Sequence, residues 1–249
     1  MTVFRNVVFV AAIAGLLAGM AMAAMQSFAT VPLILQAETF ENAAEPAADQ
    51  AAAGHDHGDA AAAVEAHDHS EEAWAPADGF ERFAYTVAAN VVTGIGFALV
   101  LVAVSEALGG IAGWRQGLVW GFAGFAVFTL APGLGLPPEL PAMPAADLVA
   151  RQAWWIATVV ATAGGLGLIA FSRSLLPALA GVALIVAPHV VGAPQPVSHD
   201  SPVPAGLHHE FVVAVTVTNL VFWVFLGALV GVVRQRLTRA EGGLAGRLA

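Results

Sequence analysis

Phe211–Val233 reads FVVAVTVTNLVFWVFLGALVGVV, 23 residues without a charge. As an α-helix rising about 1.5 Å per residue it would be about 34 Å long, enough to cross a hydrocarbon core of about 30 Å. In lipid a helix is the simplest way to satisfy every backbone N–H and C=O within the segment itself. Working outward from this stretch, five more apolar runs follow the same pattern: Val7–Val31, Phe83–Ser105, Gly117–Leu136, Ala153–Phe171 and Leu175–Val191. The sequence predicts an all-α, polytopic helical membrane protein, one integral membrane domain over residues 1–249 with about six transmembrane helices. Two of the six are less secure. The run Leu175–Val191 is short and carries Pro177 and Pro188 near its ends. The first run also has the parts of a secretory leader, with Arg5 as its basic region and Ala21-Met22-Ala23 as a small-residue cleavage site. Against that, its apolar stretch exceeds the roughly 7–15 residues of a leader. Five helices remain if the first is cleaved or the short one does not span.

Composition agrees, with 58% apolar and 11% charged residues and a mean hydropathy of +0.76. All nine basic residues are Arg, so Schiff-base chemistry and a phosphate-binding P-loop lysine are excluded. A net charge of −9 argues against nucleic acid as a partner. The absence of Cys removes any thiolate metal site and leaves the redox compartment undecided.

The sign of charge along the chain sets orientation. With the N-terminus inside, Arg5, Arg115, Arg173, Arg234, Arg236, Arg239 and Arg247 are cytoplasmic and only Arg82 and Arg151 lie outside. Sixteen of the eighteen acids and all eight His then lie outside, leaving Glu106 and Glu241 within. The expected topology is therefore N-in and C-in. Gly pairs four residues apart, Gly15/Gly19, Gly117/Gly121 and Gly227/Gly231, are candidates for close helix packing. Pro-rich outer segments, with Pro132, Pro137, Pro138, Pro141 and Pro144 and then Pro194, Pro196, Pro202 and Pro204, should form a stiff rim.

The polar stretch 36–80 contains GHDHGDAAAAVEAHDHSEE (Gly54–Glu72), in which His55-Asp56-His57 recurs as His67-Asp68-His69. Ala-rich, acidic and without aromatic residues over that range, it lacks the apolar surface to fold alone and reads as a disordered extracytoplasmic loop. Imidazoles interleaved with carboxylates suit divalent Zn, Ni, Co or Cu, so the loop reads as a collector of divalent metal. The competing reading is a solvated acidic linker.

A second group comprises His189, at the outer end of the fifth run, His199 in the next segment, and His208, His209 and Glu210 heading the sixth. Placed where an ion would enter the bundle, these are candidate ligands; interfacial anchoring is the alternative. Asn90 and Asn219 each follow an outer acid, Glu81 and Glu210, by nine residues, about 13.5 Å along a helix, and are candidates for the pathway near the midplane. An interhelical hydrogen bond is the structural reading for either one. Met20, Met22 and Met25 could suggest a Cu(I) path but suit ordinary packing better. H-E-x-x-H and G-x-S-x-G are absent, so nothing supports an enzyme.

Four stretches, EEAWAPADGFERFAYTVAAN (Glu71–Asn90), GLVWGFAGFAVFTLAPGLGLPPELPAMPAADLVARQAWW (Gly117–Trp155), PHVVGAPQPVSH (Pro188–His199) and VTNLVFW (Val217–Trp223), resemble the CbtA family of cobalt transporter subunits. The resemblance implies a bacterial inner-membrane protein linked to cobalt supply for cobalamin. It also implies a small single-span, His-bearing partner, CbtB. Its loop length and His count are expected to vary, so no single loop His carries over as essential. The expected function is transport of a divalent metal, Co²⁺ first, with no tightly bound cofactor. A nickel or zinc permease is one alternative, and a non-transporting metal-binding scaffold or sensor is another. Beyond the bilayer and a CbtB-like subunit, association with further copies of the chain is the remaining partner expectation.

Overall fold

A computed structural model describes residues 2–52, 76–77 and 79–248, with side chains for 4–43, 76–77 and 79–240. The described chain is helical throughout its regular structure: α1 (Thr2–Ala29), α2 (Val31–Ala52), α3 (Phe80–Ala107), α4 (Trp114–Phe125), α5 (Ala131–Gly135), α6 (Leu148–Phe171), α7 (Leu175–Val191) and α8 (Ala205–Leu248). Helices α4 and α5 are one rod joined by a π-helical turn, Ala126–Leu130. Pro132 lacks the N–H that would close an ordinary helical bond to Phe128, and the Ala131 N–H reaches back five residues to Ala126 O.

Among the described residues five stretches are long and apolar enough to cross a membrane: Phe4–Ala29, Phe80–Ala107, Trp114–Gly135, Leu148–Phe171 and Ala205–Ala240. The expected fifth run, α7, has 17 residues, about 25 Å of helix. It nevertheless traverses its neighbour. Trp154 Nε1, near the start of α6, donates to Pro188 O near the end of α7 at 3.2 Å. Further along, a Cβ built on Gly181 would lie 2.6 Å from Gly165 O. The two helices are therefore antiparallel, and α7 returns the chain to the end of the bundle where α6 began. Both Asn6 of α1 and Arg234 of α8 line a cavity at the opposite end, so the two outermost helices of the chain share an end.

With lipid as solvent there is no hydrophobic drive between helices, and close backbone approach supplies the packing. A Cβ on Gly94 of α3 would sit 2.6 Å from Gly15 O of α1, and one on Gly231 of α8 would sit 2.8 Å from Trp114 Cα of α4. Gly117 and Gly227 meet in the same α4–α8 seam. All three Gly pairs expected from sequence thus lie in helix–helix contacts. Helix α1 packs on α3 and α8, and α8 packs on α4. Val10, Ala11, Ala14, Ala18 and Met22 of α1 are buried in this core, so the stretch that also carries leader features is the centre of the bundle. Phe97, Phe128 and Trp223 fill the middle, with Phe128 and Trp223 stacked at 5.4 Å.

One boundary differs from the sequence reading. The polar segment expected to be loop from residue 36 begins as helix, since α2 runs through Ala52. Its Ala, Glu and Gln are strong helix formers, and Pro32 sits in the first turn, where no N–H is needed. Thr30 breaks the path between α1 and α2, its hydroxyl donating to Gln26 O at 3.3 Å.

Candidate functional site

The end of the bundle where α3, α6 and α8 begin is the acidic one. Its two Arg are both paired: Arg82 Nη1 lies 2.9 Å from Glu38 Oε1, and Arg151 Nη2 lies 3.0 Å from Glu139 Oε2. Ala37 of α2, Leu140, Val203, and Leu207 and Phe211 of α8 bury one another in a small apolar cluster. This cluster ties the Pro-rich segments down against α2 and α8, giving the rim expected from composition.

The described histidines all stand at this end. His189 closes α7 and meets the Trp154 ring edge-on at 5.9 Å. The Trp154 hydrogen bond to Pro188 O fixes the backbone beside it. His208 Nε2 lies 3.1 Å from Pro138 O. Because a carbonyl only accepts, that contact puts the proton on Nε2 and leaves Nδ1 with the lone pair a metal would need. His199, His209 and Glu210 are exposed. Among the described residues no group of three or more His, Asp or Glu is arranged to hold a metal ion. His189 belongs to the α6–α7 pair and His208 to the α8–Pro138 contact, so the fold does not gather the second His group into a ready-made site. The doubled triplet, His55, Asp56, His57, His67, Asp68 and His69, lies outside the described residues.

The two amides expected near the midplane are engaged in structure. Asn90 Nδ2 donates to Gln26 Oε1 of α1 at 2.7 Å and to Thr86 O at 2.9 Å. Asn219 Nδ2 donates back to Val215 O at 2.9 Å. Asn90 thus joins α1 to α3 in the manner of an interhelical hydrogen bond. Met22 is buried in the core and Met25 packs against it, while Met20 is 52% exposed, so the three do not line one path.

The Arg-rich end holds a feature that spacing did not single out. Arg234 of α8 pairs with Glu106 of α3 through two contacts, Nε to Oε1 at 2.6 Å and Nη2 to Oε2 at 2.9 Å. Its Nη1 donates to Ile111 O in the α3–α4 turn. The guanidinium lies over Gly110, whose φ of +77° and lack of a side chain make room for it. Beside the pair is a cavity of about 200 Å³ lined by Asn6, Val10, Val102, Glu106, Arg234 and Thr238, among others. One of only two acids at an end otherwise rich in Arg was the available signal, but only the fold brings positions 106 and 234 together.

No curated protein and no solved structure matches the chain. A family model described as "Probable cobalt transporter subunit (CbtA)" matches residues 4–235. That match covers four of the long apolar stretches and α7 in full and most of the fifth, ending at Gln235. A multi-pass helical bundle with its described histidines collected at one end, and a family match over nearly its whole length, place this chain in the CbtA family.

Proposed function

We propose that the chain carries Co²⁺ inward across the bacterial inner membrane, gathering the ion on the periplasmic face through the His55–His69 loop. The observation that carries this reading is one of placement. Glu38 and Arg82, which flank the loop segment in sequence, pair at the same end of the bundle as His189 and His208. The two residues that bracket the loop in sequence therefore sit at the end of the bundle that bears the remaining imidazoles. The excess of Arg at the opposite end supports a cytoplasmic side for that end. In this orientation an inward potential supplies about 4.6 kcal/mol per 100 mV to a doubly charged ion.

His189, with His208 presenting Nδ1, offers nitrogen where hydration must begin to be shed. Supply of cobalt for cobalamin and a CbtB-like single-span subunit with its own histidines complete the reading; the family description as a subunit supports a partner.

The test is labelled-cobalt uptake in cells with and without the chain, followed by flux in proteoliposomes. Flux that depends on the chain, alone or with its partner, is the expected result. Metal binding without flux would instead make it a membrane scaffold or sensor. Competition by Ni²⁺ or Zn²⁺ decides the cargo, since both rival Co²⁺ at nitrogen and oxygen ligands.

A further inference from the structure

The cavity at the Arg-rich end lies at the opposite end of the bundle from the described histidines. It lies among the start of α1, the end of α3 and the cytoplasm-facing part of α8, with the Glu106 carboxylate and the Arg234 guanidinium both in its wall. Its volume of about 200 Å³ is far above the roughly 10–15 Å³ that one water needs in the same measure. A divalent ion with much of its octahedral water shell fits there.

Both Glu106 oxygens are occupied by Arg234, so an arriving cation meets a carboxylate already in use. Each oxygen keeps a second lone pair, so the ion and the guanidinium compete through the repulsion of two cations brought to one carboxylate. Arg234 has somewhere to remain when displaced, because its Nη1 is independently held by Ile111 O. Gly109 and Gly110, at φ +102° and +77°, give the turn that carries Ile111 a backbone shape most residues avoid. Displacement therefore need not cost the guanidinium all of its partners. Re-pairing of Arg234 with Glu106 then expels the ion, which suits the last stop of a pathway, where binding must be weak enough to end.

We propose that this cavity is a release site for a divalent cation, in which Arg234 and the ion compete for the Glu106 carboxylate. The inference rests on the transport reading above, with this end facing the cytoplasm. The pair is the latch, Glu106 is the oxygen ligand, and Asn6 and Thr238 are the polar wall against which the hydrated ion sits.

Mn²⁺ is a suitable probe because it favours oxygen ligands and so reads this site above the histidines. Mn²⁺ binding to the full-length purified chain is titrated by electron paramagnetic resonance in wild type, Arg234→Gln, Glu106→Gln and the double variant. Removing the competitor in Arg234→Gln should reveal one site bound at least about tenfold more tightly, within the range of ordinary coupling between ligands. Adding Glu106→Gln to that chain should abolish the gain. Equal binding in all four chains, or a gain that survives Glu106→Gln, would overturn the proposal. Should Arg234→Gln unfold, Arg234→Lys, which keeps the charge but loses the two-pronged geometry, should show a smaller gain of the same kind; none in a folded Arg234→Lys chain would overturn it. Cobalt flux separates the two readings. Flux in wild type without a Mn²⁺ gain in the variants leaves transport standing and rejects the release site. The Mn²⁺ gain without wild-type flux supports the cation site and rejects transport.

Discussion

Arg82 and Glu38 face each other through two contacts, Nη1 to Oε1 at 2.9 Å and Nη2 to Oε2 at 3.4 Å, joining the start of α3 to the middle of α2. The 43 residues between them include the whole doubled HDH segment. The pair therefore joins the two described flanks of the segment proposed to collect metal. Both side chains are about 30% exposed, so water screens the attraction. Glu38→Gln should cost about 0.2–1 kcal/mol, measured as a small fall in thermal midpoint in detergent. A loss of several kcal/mol would mean that the pair holds far more than these two flanks.

Replacing His55, His57, His67 and His69 by Ala should lower cobalt uptake when the metal is scarce and leave it nearly unchanged when abundant. A collector raises local concentration without forming the path. Only neutral imidazole binds metal, and a reference pKa of about 6.5 makes protons compete below roughly pH 6. Acidification should then reproduce the scarce-metal defect in the wild-type chain and have less effect on the variant. Uptake that falls equally at all metal concentrations would put the loop in the pathway.

Gly94 and Gly96 are two residues apart on α3 and should respond oppositely to a methyl group. At Gly94 the new Cβ would lie 2.6 Å from Gly15 O, while at Gly96 it would meet nothing within 4 Å. Gly94→Ala should cost about 1–3 kcal/mol from overpacking, whereas Gly96→Ala should be neutral or slightly stabilising. Thermal unfolding of the two variants side by side is the measurement. Equal midpoints would mean that α1 and α3 do not meet at these glycines.

Asn90→Ala removes the bond to Gln26 and should cost about 0.6–2 kcal/mol. Cobalt flux per folded molecule should stay the same if the amide serves packing alone. A fall in flux out of proportion to the loss of folded protein would return Asn90 to the pathway.

The brevity of α7 makes its crossing worth a direct test. Single cysteines replacing Ser174, before α7, and Gln195, after it, sit in a chain with no Cys of its own. A membrane-impermeant thiol reagent should reach position 195 from the periplasm and position 174 only from the cytoplasm. Labelling of both from one side would make α7 a re-entrant segment and give the molecule five crossings.

Uncharged length alone determined most of the architecture, because a bilayer requires the backbone of each crossing to satisfy itself and so makes each span legible locally. The Gly pairs were legible for a related reason: helices in lipid pack through small residues at fixed spacing. The start of the polar segment was misread because Ala- and Glu-rich sequence suits both a solvated loop and a helix, and here it forms α2 with Pro32 in the first turn. What sequence could not determine was partnership across distance. Asn90 was equally compatible with a pathway and with packing until Gln26 lay 2.7 Å away. The tertiary structure alone separated His189 from His208, one against Trp154 and the other against Pro138. It likewise brought Glu106 under Arg234, 128 residues later. Hydrophobic length is a property of neighbouring residues, whereas a salt bridge between helices depends on which faces the packed bundle turns toward each other.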